Sequence, residues 1–139
     1  MTLVVAPVRY PLTTRSYATL ETAVEVARDR DAAITVLHVN LYQNGKTVTR
    51  TELKSAVERR VGKIEHARYV VRSGFLVEES ILDEVAAENA DVVVIGQKQA
   101  SRWRRIIRRF TDDPDIDSYL RSHLDCEVIT VEEVTQRID

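Results

Sequence analysis

Five short apolar runs alternate with stretches of helical periodicity along this 139-residue chain, and that alternation constrains its fold more than any other feature. Residues 3–8 (LVVAPV) and 91–96 (DVVVIG) are almost continuously apolar, the pattern of strands buried on both faces. Residues 33–39 form a second, β-branched run, residues 126–131 a fifth. The third run, 67–72, is more polar and is expected nearer a sheet edge; Ser73-Gly74 closes it. Between the runs, Thr13 and Thr14 offer N-caps for a helix to about Arg30, with Tyr17, Leu20, Val24 and Ala27 at intervals of three and four. A loop over 41–46 turns at Asn44-Gly45. Thr51-Glu52-Leu53 leads a charged helix with Leu53, Val57, Val61 and Ile64 on one face, and a further helix carries Ile81, Leu82, Val85 and Ala86. Two more are predicted at about 100–110 and 115–124, divided by Asp113-Pro114. Strands joined through helices require right-handed crossovers. The expected fold is therefore α/β: one open doubly wound sandwich over residues 1–139, Rossmann-like, with a five-stranded mostly parallel sheet and helices on both faces.

Several function classes drop out on composition. With 44% hydrophobic and 30% charged residues the chain is neither disordered nor fibrous. No apolar run reaches the ~18–20 residues of a membrane span, and none opens the chain as a signal peptide, so a cytoplasmic protein without membrane contact is expected. A single cysteine, Cys126, excludes an internal disulfide, and His38, His66 and His123 lack metal-ligand spacing. His38 reads as a structural residue ending the second strand at the sheet edge, His123 as a helix-end residue, and Cys126 as a small buried apolar side chain. Ser101 and Ser118 have no histidine that spacing places beside them, so no nucleophile–base pair is legible and no enzyme is expected.

Net charge is only −2, yet its distribution is uneven. Lys98, Arg102, Arg104, Arg105, Arg108 and Arg109 fall within twelve residues that hold no acid, and Asp112, Asp113, Asp115 and Asp117 follow at once. At ~100° per residue, Trp103, Ile106, Ile107 and Phe110 share one arc of this helix and the arginines take the rest. Two readings stand. The arginine face is solvated or paired with the aspartates, as on ordinary amphipathic helices. Alternatively it is an anion site, since arginines present forked donors to phosphate. A membrane surface suits it less, because the acidic segment beside it repels anionic lipid. In open α/β sheets ligands bind beyond the carboxyl ends of the strands where strand order reverses. If the first and fourth strands adjoin there, the crevice lies between residues 7–10 and 96–99, bringing Arg9, Gly96 and Lys98 toward Arg102 and Arg105.

The order of these elements resembles the universal stress protein family over essentially the whole chain. Val36-Leu37-His38-Val39 is similar to that family's second strand, residues 74–96 (GFLVEESILDEVAAENADVVVIG) to its third helix, fourth strand and terminal glycine, and residues 122–131 (SHLDCEVITV) to the end of its last helix and its fifth strand. The resemblance implies an adenine nucleotide alpha hydrolase-like fold. Members that bind ATP carry Gly, two residues, Gly, nine residues, then Gly followed by Ser or Thr, which leaves backbone N–H groups clear for a triphosphate. Here only Gly96 is present; Gln99, Arg109 and Phe110 stand at the later positions, and Arg9 replaces the acid that binders place after the first strand. By contrast residues 96–103 (GQKQASRW) resemble the A-type, non-nucleotide-binding branch. What this implies is a non-enzymatic stress-response protein without ATP or other cofactor or metal, acting on an unknown protein partner. The family's pairing through the fifth strand implies a homodimer joined by Val128, Ile129, Thr130 and Val131. The alternatives are a sensor of a nucleotide, phosphorylated metabolite or other small anionic ligand, held by Arg9, Gly96, Lys98, Arg102 and Arg105, and, more weakly, a binder of nucleic-acid backbone.

Overall fold

The computed structural model describes residues 2–107 and 126–131, apart from the side chains of Arg104, Ile106 and Ile107. The helix expected at 115–124, the aspartates 112–117, Ser118 and His123 lie outside these residues. Nine regular elements follow in chain order, with one short 3-10 turn: β1 (Leu3–Pro7), α1 (Thr14–Asp29), β2 (Ala33–Leu41), the turn Tyr42–Asn44, α2 (Arg50–Val61), β3 (Ala67–Gly74), α3 (Val77–Glu88), β4 (Val92–Gly96), α4 (Gln97–Ile107) and β5 (Glu127–Val131). The sheet is ordered β3-β2-β1-β4-β5 and every pairing is parallel. Strand order reverses between β1 and β4, as the crevice argument required.

The sequence sets most of these boundaries chemically. Thr13 caps α1, its Oγ1 accepting from the Ser16 N–H at 3.0 Å. Thr49 and Glu52 close a capping box on α2, Thr49 Oγ1 accepting from the Glu52 N–H and Glu52 Oε1 from the Thr49 N–H. Asn89, in the left-handed region at φ 52°, ends α3. The third strand is an edge strand, as its polarity suggested. Central β1 and β4 bury Val4, Val5, Ala6, Val93, Val94 and Ile95 completely.

Alternation of side chains divides the core by sheet face. Val5, Leu37, Val39, Val93 and Ile95 face Ile81 and Val85 of α3 and Trp103 of α4. On the opposite face Val4, Ala6, Ile34, Val92 and Val94 meet Ala23 and Ala27 of α1, and Val36 and Tyr69 meet Leu20, Leu53 and Val57. At the far end, Arg30 at the C-cap of α1 grips Glu127 of β5 through two hydrogen bonds of 2.9 and 3.0 Å. The pair is exposed and orients the start of β5 more than it stabilises the fold.

Two expectations need correction. Strand β2 does not end at His38 and is not an edge strand: it runs on to Leu41 between β1 and β3. His38 is 9% exposed, and its Nδ1 lies 3.2 Å from the Val8 carbonyl, which selects the Nδ1–H tautomer. Helix α4 begins at Gln97, about three residues earlier than its apolar pattern suggested, so the chain passes from β4 into helix with no loop between.

Candidate functional site

Helix α4 stands at the carboxyl end of β4, beside the reversal of strand order. Its seat is Trp103, which is fully buried and donates from Nε1 to the Glu78 carbonyl of α3 at 2.9 Å. Ala100, one turn earlier, is 1% exposed on the same inward face. With that face held, the residues at spacings of one and three on the other side, Gln97, Lys98, Ser101, Arg102 and Arg105, line an open groove of about 390 Å³. Three of these carry positive charge and none is acidic. Helical periodicity thus brings Lys98, Arg102 and Arg105 together as the sequence suggested.

Among the described residues, charge in the groove is balanced from α3, through Glu78. The guanidinium of Arg102 lies 3.9 Å from Oε1 of Glu78, whose side chain is 6% exposed. That Oε1 accepts no hydrogen bond among the described residues, so the contact is a long ion pair, half open to water on the arginine side. Glu78 was not legible as part of a site. In sequence it is an ordinary acidic residue of a helix first turn, and only the docking of α4 by Trp103 places it under Arg102.

Gly96 closes β4 and precedes the first turn of α4. A Cβ placed on it would meet no heavy atom within 4 Å, and its φ is not in the left-handed region. Neither packing nor backbone conformation of the described chain demands glycine there. Arg9 lies just beyond β1, exposed, and its backbone N–H donates to Ser16 Oγ at 2.8 Å. Neither Arg9 nor Gly96 is among the described residues lining the groove, so the structure joins Lys98, Arg102 and Arg105, leaves Gly96 at the end of β4 just before them in the chain, and leaves Arg9 on the β1 side of the crevice. On that side the loop from Val8 to Leu12 carries Tyr10, which meets His38 edge-on with ring centroids 6.2 Å apart.

Among the described residues the groove offers charged and hydroxyl donors, and no group of three metal-ligating side chains occurs. Of the strand residues expected at a subunit interface, Val128 packs against the α3/α4 side of the core and Ile129 and Val131 against the α1 side, while Thr130 is exposed. Strand β5 ends the described sheet. No described helix is long and apolar enough to cross a membrane.

No protein of curated function matches the sequence. Among solved structures, a universal stress protein family member from Burkholderia pseudomallei superposes with a TM-score of 0.62 at 16% identity, covering 94% of this chain and 95% of that one. The universal stress protein UspA from Lactobacillus plantarum gives 0.60 at 19% identity, with 94% and 97% covered. A universal stress protein in complex with cAMP gives 0.57 at 13% identity, with 94% and 96% covered. At such identities the likeness is one of fold. The profile of the universal stress protein family itself matches residues 8–132, nine-tenths of the sequence, and the chain belongs to that family.

Proposed function

We propose that this chain is a non-enzymatic, cytoplasmic stress-response protein that works as a homodimer paired through β5 and does not hold ATP in the manner of the family's nucleotide-binding members. The observation that carries this reading is the direct passage from β4 into α4 at Gly96–Gln97. A glycine cradle needs backbone N–H groups that a triphosphate can reach without obstruction. Here the positions after Gly96 are helical and carry Gln97, Lys98 and Gln99, so that side chains occupy the approach. Pairing through β5 is supported by its place at the end of the described sheet, since an open strand edge invites uncontrolled association. The test combines light scattering at micromolar concentration with a thermal-shift assay. A dimer with no shift from magnesium-ATP is expected; a monomer, or a magnesium-dependent ATP shift, overturns the corresponding half of the reading.

The α4 groove favours a second reading, a sensor of a small phosphorylated anion. Lys98, Arg102 and Arg105 line one opening, and Gly96, immediately before α4, has no structural need to be glycine among the described residues. That a structural neighbour was solved with cAMP fits a small phosphate ligand. Inorganic pyrophosphate is the simplest probe. At a hundredfold excess over its dissociation constant it stabilises by ~2.7 kcal/mol, a rise in Tm of roughly 10 °C for a domain of this size. The rise is expected to shrink with salt and to vanish in Arg102→Glu/Arg105→Glu. A shift that persists in the double variant, or none in the wild type, removes this reading.

A further inference from the structure

A second charged cluster lies between α3 and the β2–β3 side of the sheet, and its two carboxylates are almost closed to solvent. Glu84 and Glu88, one turn apart on α3, point at the sheet with side chains 6% and 9% exposed. From β3 come Arg68 and Arg72, four residues apart and so on the same strand face. From β2 comes Thr35, fully buried and opposite Arg68 in register. Arg72 donates from Nε to Glu84 Oε1. Arg68 pairs with Glu88 Oε1 and lies 3.8 Å from Glu84 Oε2, and Thr35 Oγ1 donates to Glu88 Oε1 at 2.8 Å.

These contacts account for three of the four carboxylate oxygens. The fourth, Glu88 Oε2, is buried and has no donor. An ionised oxygen in that position has lost its water and gained nothing, whereas a protonated one becomes a donor. Glu84 stands within hydrogen-bonding reach to accept. Counting charges, two arginines face two carboxylates, but Arg68 is 58% exposed and water screens most of its effect. No further described cation reaches the pair: the ion pair between α3 and α4, Arg102 with Glu78, belongs to the first turn of α3.

We propose that Glu84 and Glu88 form a proton-binding site at the joint between α3 and the β2–β3 edge, keeping one shared proton on Glu88 Oε2 that is released as the medium turns alkaline. Burial first, and then the hydrogen bond and charge of Glu84, push Glu88 up to about 7, against the Thr35 hydrogen bond and Arg68. For Glu84 burial acts upward but is outweighed by the hydrogen bond from Glu88 and by Arg72 and Arg68, so it stays below the ordinary carboxylate range. The ligand of this site is the proton itself. Its release leaves two adjacent carboxylates under one end of α3, the helix whose other end holds Trp103 and Arg102 of the groove.

The sign of the linkage is fixed by these directions. A group whose folded pKa is raised stabilises the fold fully below its unfolded value and loses that contribution as pH rises to the folded value. For Glu88 the window is about pH 4.5 to 7. Glu84, lowered, works in the other direction below pH 4.5. The measurement is the folding equilibrium constant of wild type and Glu88→Gln, from urea unfolding at pH 5 to 8. Glutamine keeps an acceptor for Thr35 and supplies a permanent donor to Glu84. The ratio of variant to wild-type constants is expected to rise with pH by up to tenfold per unit, at least tenfold overall, and to level above pH 7. Histidine titration affects both proteins alike and cancels in the ratio. Carbon-13 NMR of the wild-type glutamate carboxyls supplies an independent readout, with one resonance expected to titrate near neutrality. A ratio constant within twofold, or every glutamate titrating below about pH 5.5, overturns the proposal.

Discussion

Truncating Trp103 to alanine is expected to destabilise the protein by about 3–5 kcal/mol, the range for deleting a large buried aromatic. The indole is fully buried in the cluster that also holds Ile81, Val85, Val93 and Ile95. Its removal opens a cavity where α4 meets α3 and orphans the Glu78 carbonyl, which loses its 2.9 Å donor. Trp103→Phe separates the two contributions in part, because it retains the larger share of the side-chain volume while abolishing the hydrogen bond; about 1–3 kcal/mol is expected, the smaller ring leaving a small cavity of its own. Unfolding must be followed by far-ultraviolet circular dichroism, since Trp103 is the chain's sole tryptophan. The groove should weaken together with the fold. Helical spacing puts Lys98, Arg102 and Arg105 on one face, and the buried Trp103 fixes where that face stands against α3, so any pyrophosphate shift is expected to fall in Trp103→Phe in proportion to how far α4 loosens. A loss below 1 kcal/mol in Trp103→Ala would mean that α4 is held by something other than its indole.

Legibility in the sequence followed the range of the interaction involved. Strands β1 and β4 could be read directly, because burial on both faces leaves an unbroken apolar run and nothing else explains Val92, Val93, Val94 and Ile95 in succession. The groove face of α4 was equally legible, as it depends only on spacing within one helix. Where an element's limits depend on a partner distant in sequence, the pattern failed. His38 and Asn40 look like the polar end of a strand, yet both are buried, because the Val8 carbonyl and the Val48 backbone satisfy them. The start of α4 was missed for the converse reason. Gly96 has no side chain to act as a cap, and Gln97, Lys98 and Gln99 give no apolar period, so nothing local marks the boundary. Nothing in the local sequence distinguishes Glu84 and Glu88 from the other acidic residues of α3. Their burial depends on arginines from β3 and a threonine from β2, and hence on a sheet order that no window of sequence contains. Much the same holds for Glu78 beneath Arg102.

Asn40→Ala is expected to remove about 2–4 kcal/mol, more than the apolar content of the side chain would suggest. The Asn40 side chain, in a residue only 6% exposed, clasps one residue of the loop before α2: Nδ2 donates to the Val48 carbonyl at 3.1 Å, and Oδ1 accepts from the Val48 N–H at 2.9 Å. Alanine leaves both Val48 groups without partners at a half-buried site, and each orphan costs about 1–3 kcal/mol, reduced where water can enter. The apolar contact of Val48 with the Leu20, Leu53 and Tyr69 cluster loosens with it. Helix α2 should persist, because its capping box is local to Thr49 and Glu52. Asn40→Asp sharpens the test: it keeps the acceptor, loses the donor and buries a charge, so it should be no better tolerated than alanine at neutral pH. Amide exchange at Val48 is the direct readout, with protection expected to collapse in both variants while the interior of α2 keeps its own. A loss under 0.5 kcal/mol with Val48 still protected would show that the loop is fixed by packing alone. His38 performs the matching task two residues earlier, holding Val8 on the other flank. Two buried polar residues of β2 thus set the loops on the α1/α2 side of the crevice, while Trp103 sets the α4 side.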